Sequence, residues 1–560
     1  MMKKLLLFSI VLFISLSTFS QNHFITTWST ATPGASVIIP TTGGGYNYDV
    51  DWENDGIFDD IGITGNITHN YPNAGVHTVA IRGSFPRIYF NNTGSKNQLL
   101  SVENWGNIAW TSFHRAFQGC SNLVVNATDA PDLTNVTDLS LMFWRCSSFN
   151  QSIDHWDVST ITGMSGMFLE TPYNQPLNSW NVSNVIFMNN MFNGATSFNQ
   201  PLNNWNVSSV TFMNNMFYGC FAFNQPIDNW NVSSVTDMSF MFAYATSFNQ
   251  SLNSWNVSNV TNMFNMFAST NFNQPLNNWN VSSVTNMRGM FEGAIAFNQP
   301  IETWDVSAVT DMSFMFILAQ NFNQPLNNWN VSAVTQMPRM FERASSFNRR
   351  LGSWNVSNVT NMSGMFDRAT SYNQPMDNWN VSNVTNMSNM FSGATSFDQS
   401  LGTWDVSNVN NMTNMFLNVT LSTINYDDTL IAWDALNLQA NVNFHGGFSQ
   451  YCNSASQRTN IINNDGWTII DGGQTICGSL SAKDFENQAF KLYPNPTKTS
   501  FYIETKEIVN NVGVIDILGK TVKTFKSNVE NYSIDDLKSG LYFININTEK
   551  GKATKKLIKE

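Results

Sequence analysis

The stretch that decides the fold is FNQPLNNWNVSSVTFMNNMFYGCFA, which runs from Phe198 to Ala222. The same unit returns about eleven times between residues 149 and 416, at a spacing of 24 or 25 residues. Its tryptophan recurs as Trp156, Trp180, Trp205, Trp230, Trp255, Trp279, Trp304, Trp329, Trp354, Trp379 and Trp404. A fixed period of this size is typical of stacked repeat proteins, in which each repeat contacts only its neighbours. Such proteins usually offer a long surface rather than one deep pocket, so the pattern argues against an enzyme.

Two local patterns within the unit predict its secondary structure. Phe198, Gln200 and Leu202 alternate as in a strand, and the apolar spacing over Val210–Phe217 fits one face of a short helix. Ser208 is placed to cap the start of that helix, and Gly219 is placed to end it. The fold class predicted is therefore an α/β repeat solenoid with one strand and one short helix per 25-residue coil.

The chain begins with a pattern typical of export. Lys3 and Lys4 precede the apolar run Leu5–Ile14 and a stretch of small residues, which predicts a signal peptide over residues 1–20. That run is too short to span a bilayer, and no other segment reaches membrane length. We therefore expect a secreted protein that does not span a membrane.

Residues 21–87 contain short β-rich runs broken by glycine, proline and asparagine, which predict a small β-sandwich. The stretch YDVDWENDGIFDD, followed by HNYPNAGVHTVAI, resembles a PKD-like surface domain. Asp51, Glu53, Asp55 and Asp59 have the alternate spacing of a calcium loop. Position twelve of that loop is Gly62 rather than the glutamate that an EF-hand requires, so a solvated acidic turn is the alternative. No cofactor is expected elsewhere.

The consensus WNVSNVTNMxxMFxGAxxFNQPL over residues 88–448 resembles the BspA-like leucine-rich-repeat surface proteins of bacteria. This resemblance implies an extracellular, often adhesive protein built as a right-handed solenoid. We expect residues 449–478 to cap the last hydrophobic edge and residues 479–488 to form a linker.

The five cysteines suit an oxidising compartment. Cys452 and Cys477 flank one compact segment, which predicts a disulfide between them. Cys120 and Cys146 occupy the same place in successive coils, so both a bridge and two buried thiols remain open. Cys220 stands where other repeats have alanine, which favours a small buried side chain.

Residues 489–560 resemble a type IX secretion sorting domain and are expected to form a second small β-sandwich. The matching residues are Tyr493, Pro494, Asn495, Pro496, Gly519, Gly540, Lys555 and Lys556. The resemblance implies a partnership with the type IX secretion machinery and display on the outer surface of a Gram-negative bacterium. It leaves open whether the protein is released or anchored.

The net charge of −12 disfavours nucleic acid as a partner. The six histidines are scattered, and no phosphate loop, paired-cysteine metal spacing or nucleophile elbow is present in the sequence. We therefore expect no catalysis.

Arginine is concentrated in two adjacent coils, at Arg339, Arg343, Arg349, Arg350 and Arg368. One interpretation is a surface lattice of ion pairs with Glu342 and Asp367, which would contribute little stability. The other is a docking point for an anionic glycan or protein. The sequence as a whole predicts a surface adhesion protein that presents an extended polar face to protein or glycan partners. The alternatives are an accessory module of carbohydrate-processing machinery and a structural surface-layer component without a specific ligand.

Overall fold

The computed structural model describes residues 22–477, 490–505, 508–517, 519–526, 529, 531–548 and 551–560. The chain divides into two compact units, Met1–Thr475 and Ile476–Glu560. The predicted signal peptide and the predicted linker lie outside the described residues.

The first unit begins with eight short strands. They are β1 (Phe24–Thr30), β2 (Ser36–Ile39), β3 (Asn47–Asp51), β4 (Asp60–Ile63), β5 (Ile67–Asn70), β6 (Gly75–Ser84), β7 (Leu99–Asn104) and β8 (Val124–Val125). One sheet has the order β4-β3-β6-β1-β7-β8, and β2 pairs with β5. Because β7 and β8 lie beyond residue 87, this sheet continues from the predicted N-terminal domain into the first coils. The buried side chains of both regions form one continuous core.

The prediction of an α/β solenoid is wrong. The only helices of the described residues are two, both after residue 422. Each repeat contributes a single parallel bridge residue instead of a strand, as in the series Phe187, Phe212 and Asp237. The repeats are therefore coils of consecutive turns, stacked in sequence order.

The hydrogen bonds of the segment predicted to be helical explain this correction. The Met216 N–H donates to the Met213 carbonyl, which closes a tight turn, whereas the Phe217 N–H donates to Met241 of the next coil at 2.9 Å. Asn215 between them has a positive φ of 57°. An α-helix needs right-handed residues whose N–H groups bond four residues back, so a left-handed residue and bonds between coils exclude it.

The segment predicted to be a strand is linked between coils by side chains. The Asn199 N–H donates to Oδ1 of Asn174, one coil earlier, at 2.9 Å. The Gln200 amide donates to the same Oδ1 at 3.0 Å and to the Asn174 carbonyl at 3.1 Å. Asparagine and glutamine therefore supply the bonds that a backbone ladder would otherwise make.

The core of the coils consists of continuous columns of identical side chains. Every repeat tryptophan is at most 3 % exposed. The rings of Trp205 and Trp230 lie parallel, with centroids 6.4 Å apart, and Phe217 and Phe242 stack at 5.7 Å. The Trp205 indole N–H donates to the Leu177 carbonyl at 2.8 Å, so its polar atom is also satisfied. The predicted inward position of the tryptophans is confirmed.

The last coil is covered by α1 (Thr423–Asp434), β9 (Asn443–His445), α2 (Ala455–Asp465) and β10 (Thr468–Ile470). Strand β10 pairs in parallel with β9. Helix α2 ends at Gly466, whose left-handed φ of 71° suits a glycine. The Asp427 carboxylate of α1 accepts hydrogen bonds from the backbone N–H groups of Cys452 and Ser454, which ties the start of α2 to α1.

The second unit contains only strands among its described residues. They are β11 (Lys491–Tyr493), β12 (Ser500–Glu504), β13 (Val509–Ile515), β14 (Thr521–Lys526), β15 (Tyr532–Ser533), β16 (Gly540–Thr548) and β17 (Gly551–Lys559). Sheet β11-β12-β15 and sheet β14-β13-β16-β17 enclose a small apolar core.

Candidate ligand-binding face

The outer turn of each coil carries residues that change from one repeat to the next. Counted from the tryptophan of the coil, these are positions 10, 13 and 14, which in the coil of Trp205 are Asn215, Tyr218 and Gly219. We call the surface formed by these three positions in successive coils the turn face. The tryptophan, methionine and phenylalanine columns beneath it hardly vary. The turn face is therefore where the coils differ in sequence while their core stays the same.

Positions 10 and 14 of the turn face have a left-handed backbone. Glycine and asparagine adopt it at least cost, and several coils use them, as at Asn215 and Gly219. Other coils place bulky side chains there, with φ between 55° and 62°: Phe240, Tyr244, Phe314, Leu318, Arg339, Arg343 and Arg368. Such a residue costs roughly 1–2 kcal/mol relative to glycine. None of these seven is fully buried, so core packing does not account for the choice.

Hydrogen bonds between coils fix the orientation of these side chains. The Phe240 N–H donates to the Phe264 carbonyl at 2.8 Å, and the Tyr244 N–H donates to the Ala268 carbonyl at 2.8 Å. The turn face is therefore presented by a bonded backbone rather than by free loops, which favours a preorganised surface.

Three of the five arginines singled out from the sequence meet on the turn face. Arg339 Nε lies 3.5 Å from Glu342 Oε2, and Arg343 Nε lies 3.8 Å from Glu342 Oε1. Arg368 Nε lies 4.0 Å from Asp367 Oδ1. The three arginine side chains are 56, 46 and 58 % exposed. These are long pairs on exposed arginines, and each guanidinium has N–H donors beyond the one in its pair.

The two carboxylates lie below the arginines. Glu342 and Asp367 are 12 and 19 % exposed, and burial raises the pKa of each carboxyl above its usual value although the arginines oppose this. Both line an open cavity of about 210 Å³ together with Arg339. With three guanidiniums around two carboxylates, the cluster keeps an excess of positive charge at its outer surface.

Arg349 and Arg350 lie at a different corner of the coil. Arg349 Nε donates to the Asn323 carbonyl at 2.8 Å, in the ladder that glutamine forms in other coils. Arg350 lines a separate cavity with Asp377 and Pro375. The five arginines are thus a group of three and a group of two, and only the first lies on the turn face.

An aromatic cluster on the turn face and at the adjacent position 9, where Phe264 lies, escaped the sequence analysis. Phe240 and Phe264 meet edge to face at 4.7 Å, and Tyr218 contacts both Tyr244 at 5.3 Å and Phe240 at 6.1 Å. Tyr244 is 43 % exposed. The available signal was an aromatic residue at a position where the neighbouring repeats have asparagine, serine or glycine.

The asparagines of the repeat form a second polar surface. Asn203 and Asn204 are exposed, but these positions also bond between coils. The Asn204 N–H donates to Asn178 Oδ1 at 3.0 Å, and the Asn229 amide donates to the Asn203 carbonyl at 2.6 Å. Part of their hydrogen-bonding capacity therefore stabilises the stack.

The structure brings three of the four calcium candidates together. Asp51, Glu53 and Asp59 can each direct one carboxylate oxygen to within 4.8 Å of the others. Burial, followed by the acidic neighbours, raises the pKa of Glu53. Asp51 accepts backbone hydrogen bonds from Glu53, Asp55 and Gly56, however, so the loop is held by its own backbone. Calcium binding stays a prediction.

The cysteines fall into two groups. Cys120, Cys146 and Cys220 are buried, and burial raises the pKa of each thiol. The Cys146 thiol donates to the Phe117 carbonyl at 3.1 Å, which suits the interpretation as buried thiols. Cys452 is partly buried and Cys477 is exposed, and their disulfide stays a prediction.

In the second unit the predicted motif residues at the two ends of the domain come together. The Asn495 amide donates to the Lys556 carbonyl at 2.7 Å and its Oδ1 accepts from the Ile558 N–H at 2.9 Å. Tyr493 ends β11, Gly540 begins β16, and Lys555 lies in β17. Gly519 has a left-handed φ of 82° in the turn between β13 and β14.

This second unit belongs to a known class of export module. A family model described as "Secretion system C-terminal sorting domain" matches residues 491–560. The match confirms the sorting domain predicted from the sequence, and it indicates a secreted or cell-surface protein that engages the type IX secretion system. Within the part of the chain that the structure describes, no helix is long and apolar enough to cross a membrane.

The repeats define the family of the chain. A model described as "Mycoplasma protein of unknown function, DUF285" matches residues 111–222, 201–283, 268–367, 319–433 and 349–456. These overlapping matches extend over more than half of the chain, so the protein belongs to this family. No curated protein matches the chain.

Proposed function

We propose that this is a surface adhesion protein that binds macromolecular partners through its stacked coils and does not catalyse a reaction. The observation that carries the proposal is the turn face. Its bulky side chains occupy left-handed positions where glycine or asparagine would stabilise the fold more, and the core beneath them is nearly constant.

The sorting domain supports the proposal that this binding occurs outside the cell. A protein exported by this route acts outside the cell, and we propose the outer surface of a Gram-negative bacterium, reached through the signal peptide of residues 1–20. The repeat consensus further supports kinship with the BspA-like surface proteins, and the strands of residues 24–84 support a PKD-like module.

Two other functions remain as alternatives. An accessory module of carbohydrate-processing machinery would bind a polysaccharide, and a surface-layer component would bind only its own kind. The surface layer gives no reason for bulky residues at left-handed positions of a few coils, because a structural layer gains from uniform coils.

The test is an array of purified extracellular proteins and glycans probed with the secreted protein. Saturable binding to a defined group of ligands is expected, weakened at least tenfold when Phe240, Tyr244, Arg343 and Arg368 are replaced by asparagine. If the protein binds nothing saturably and only self-associates, the surface-layer alternative replaces the proposal.

A further inference from the structure

The aromatic cluster and the group of three arginines occupy the same surface. Both consist of residues at positions 10, 13 and 14 of the turn face, with Phe264 at the neighbouring position 9. The coil of Trp205 contributes the first aromatic residue and the coil of Trp354 contributes the last arginine. These six coil steps correspond to about 29 Å at the spacing of neighbouring strands. This length is on the scale of a standard protein interface, which buries about 800 Å² per partner.

The coils between the two ends carry mixed chemistry and connect them. The Arg288 guanidinium lies over the Phe314 ring, 4.8 Å from its centroid. Arg288 also forms only a long pair with Asp311, at 3.8 Å. Phe264 and Arg288, both at the neighbouring position 9, therefore connect the two ends through the coils of Trp255 and Trp279. Positions 10, 13 and 14 of those two coils carry Asn265, Ala268, Ser269, Gly289, Glu292 and Gly293.

We infer that this band of the turn face is one docking site for a protein, whose matching segment presents apolar side chains to the aromatic end and carboxylates to the arginine end. The inference rests on the proposed function and names the partner class for it. Aromatic residues and arginine are the residue types enriched in protein interfaces and their binding hot spots.

Charge complementarity selects the acidic character of the partner. Arg339, Arg343 and Arg368 outnumber the carboxylates beneath them, and their pairs of 3.5–4.0 Å leave donors for a second carboxylate. A guanidinium binds a carboxylate with two parallel hydrogen bonds when the geometry allows it.

The shape of the aromatic end selects a protein rather than a neutral sugar. A sugar ring stacks on one flat exposed face, whereas these rings meet at angles of 66–71°. Aromatic rings in this edge-to-face arrangement pack well against further aliphatic or aromatic side chains of a partner.

The experiment uses a random peptide library displayed on phage and selected on the secreted protein. The aromatic-end variant is Phe240→Asn with Tyr244→Asn, and the arginine-end variant is Arg343→Asn with Arg368→Asn. Asparagine is already present at these positions in other coils, as at Asn215 and Asn418, so both variants should fold. The control variant is Arg349→Gln with Arg350→Pro, which removes the same charge at another corner and restores the common repeat residues.

The expected result is enrichment of peptides that combine apolar residues with aspartate or glutamate. Their affinity should fall at least tenfold in each end variant and stay within twofold in the control. Unchanged affinity for either end variant, or selected peptides without acidic residues, would overturn the inference.

Oligosaccharides separate this inference from the proposed function. Heparin and neutral oligosaccharides are measured on the same four proteins. If they bind saturably at the turn face while no peptide does, the partner is a glycan and the inference fails although the proposed function stands. If neither peptides nor glycans bind any of the proteins, both fail.

Discussion

Arg349 Nε donates to the Asn323 carbonyl at 2.8 Å, and in this way it replaces the glutamine of the common repeat. In the preceding coil Gln324 makes the equivalent bond to the Asn298 carbonyl at 3.0 Å. Part of the unusual arginine content is thus accounted for by the stacking of the coils. Arg349 is therefore accounted for without a ligand.

Replacing Arg349 should therefore reveal a structural role. We expect Arg349→Gln to change the free energy of unfolding by less than about 0.5 kcal/mol, because the hydrogen bond is kept. Arg349→Ala should lose about 0.5–1.5 kcal/mol, since the Asn323 carbonyl loses its donor. Chemical denaturation of the two variants measures the difference, and equal stability would contradict the role.

Trp279 should stabilise the stack of coils, as Arg349 does. Its ring is 3 % exposed, and its indole N–H donates to the Leu252 carbonyl at 2.8 Å. We expect Trp279→Ala to cost roughly 3–5 kcal/mol. Hydrogen exchange should rise first in the adjacent coils, because each coil is stabilised by its neighbours. An equal rise in hydrogen exchange along the whole stack would show that the stability of a coil does not depend mainly on its neighbours.

Phe240 should be replaceable without loss of stability. Its φ is 56°, a conformation that asparagine tolerates better. We expect Phe240→Asn to leave the unfolding free energy unchanged or to raise it by up to about 1 kcal/mol. The matched control is Phe242→Asn, two residues on, which places a polar group in the fully buried column and should destabilise strongly. A large loss of unfolding free energy in Phe240→Asn would mean that the packing of this ring stabilises the fold.

Acidification should weaken the N-terminal strands before the coils. Burial lowers the pKa of His23, His69, His77 and His114 below the ordinary 6.5. A lowered histidine pKa means that the unfolded chain binds more protons, so this stability is present above pH 6.5 and is lost as the pH falls through the folded values. Hydrogen exchange corrected for its intrinsic rate should rise in β1–β6 between pH 7 and pH 5.

The coils serve as an internal control for the effect of pH on hydrogen exchange. Residues 180–404 contain no histidine, so their exchange should change little over the same interval. A variant with His77→Gln should show a smaller pH effect in β1 and β6. Equal changes in strands and coils would contradict a histidine origin.

Removal of residues 491–560 should abolish appearance at the cell surface, because the sorting domain lies there. Immunoblotting of surface and periplasmic fractions measures this, with an internal deletion of the coils of Trp255 and Trp279 as a control that keeps the sorting domain. Surface display of the truncated chain at the normal level would show that export uses another signal.

The sequence by itself determined the period, the inward columns and the export module. A repeated tryptophan at fixed spacing can be buried only if coils stack, so the burial of Trp205 and its equivalents followed from the pattern. The sorting motifs were likewise readable because Tyr493–Pro496 and the basic end are local strings.

Only the tertiary structure decided the backbone of each coil and the makeup of the candidate site. The spacing over Val210–Phe217 fits a helix and also fits consecutive turns, since both place the same side chains inward. The choice depends on where the N–H groups bond, and here they bond to the next coil. That bonding requires left-handed residues at Asn215 and Gly219. It brings Arg343 and Phe240 to one face while sending Arg349 to another, a separation that depends on the turns and that a helix-and-strand interpretation of the repeat could not predict.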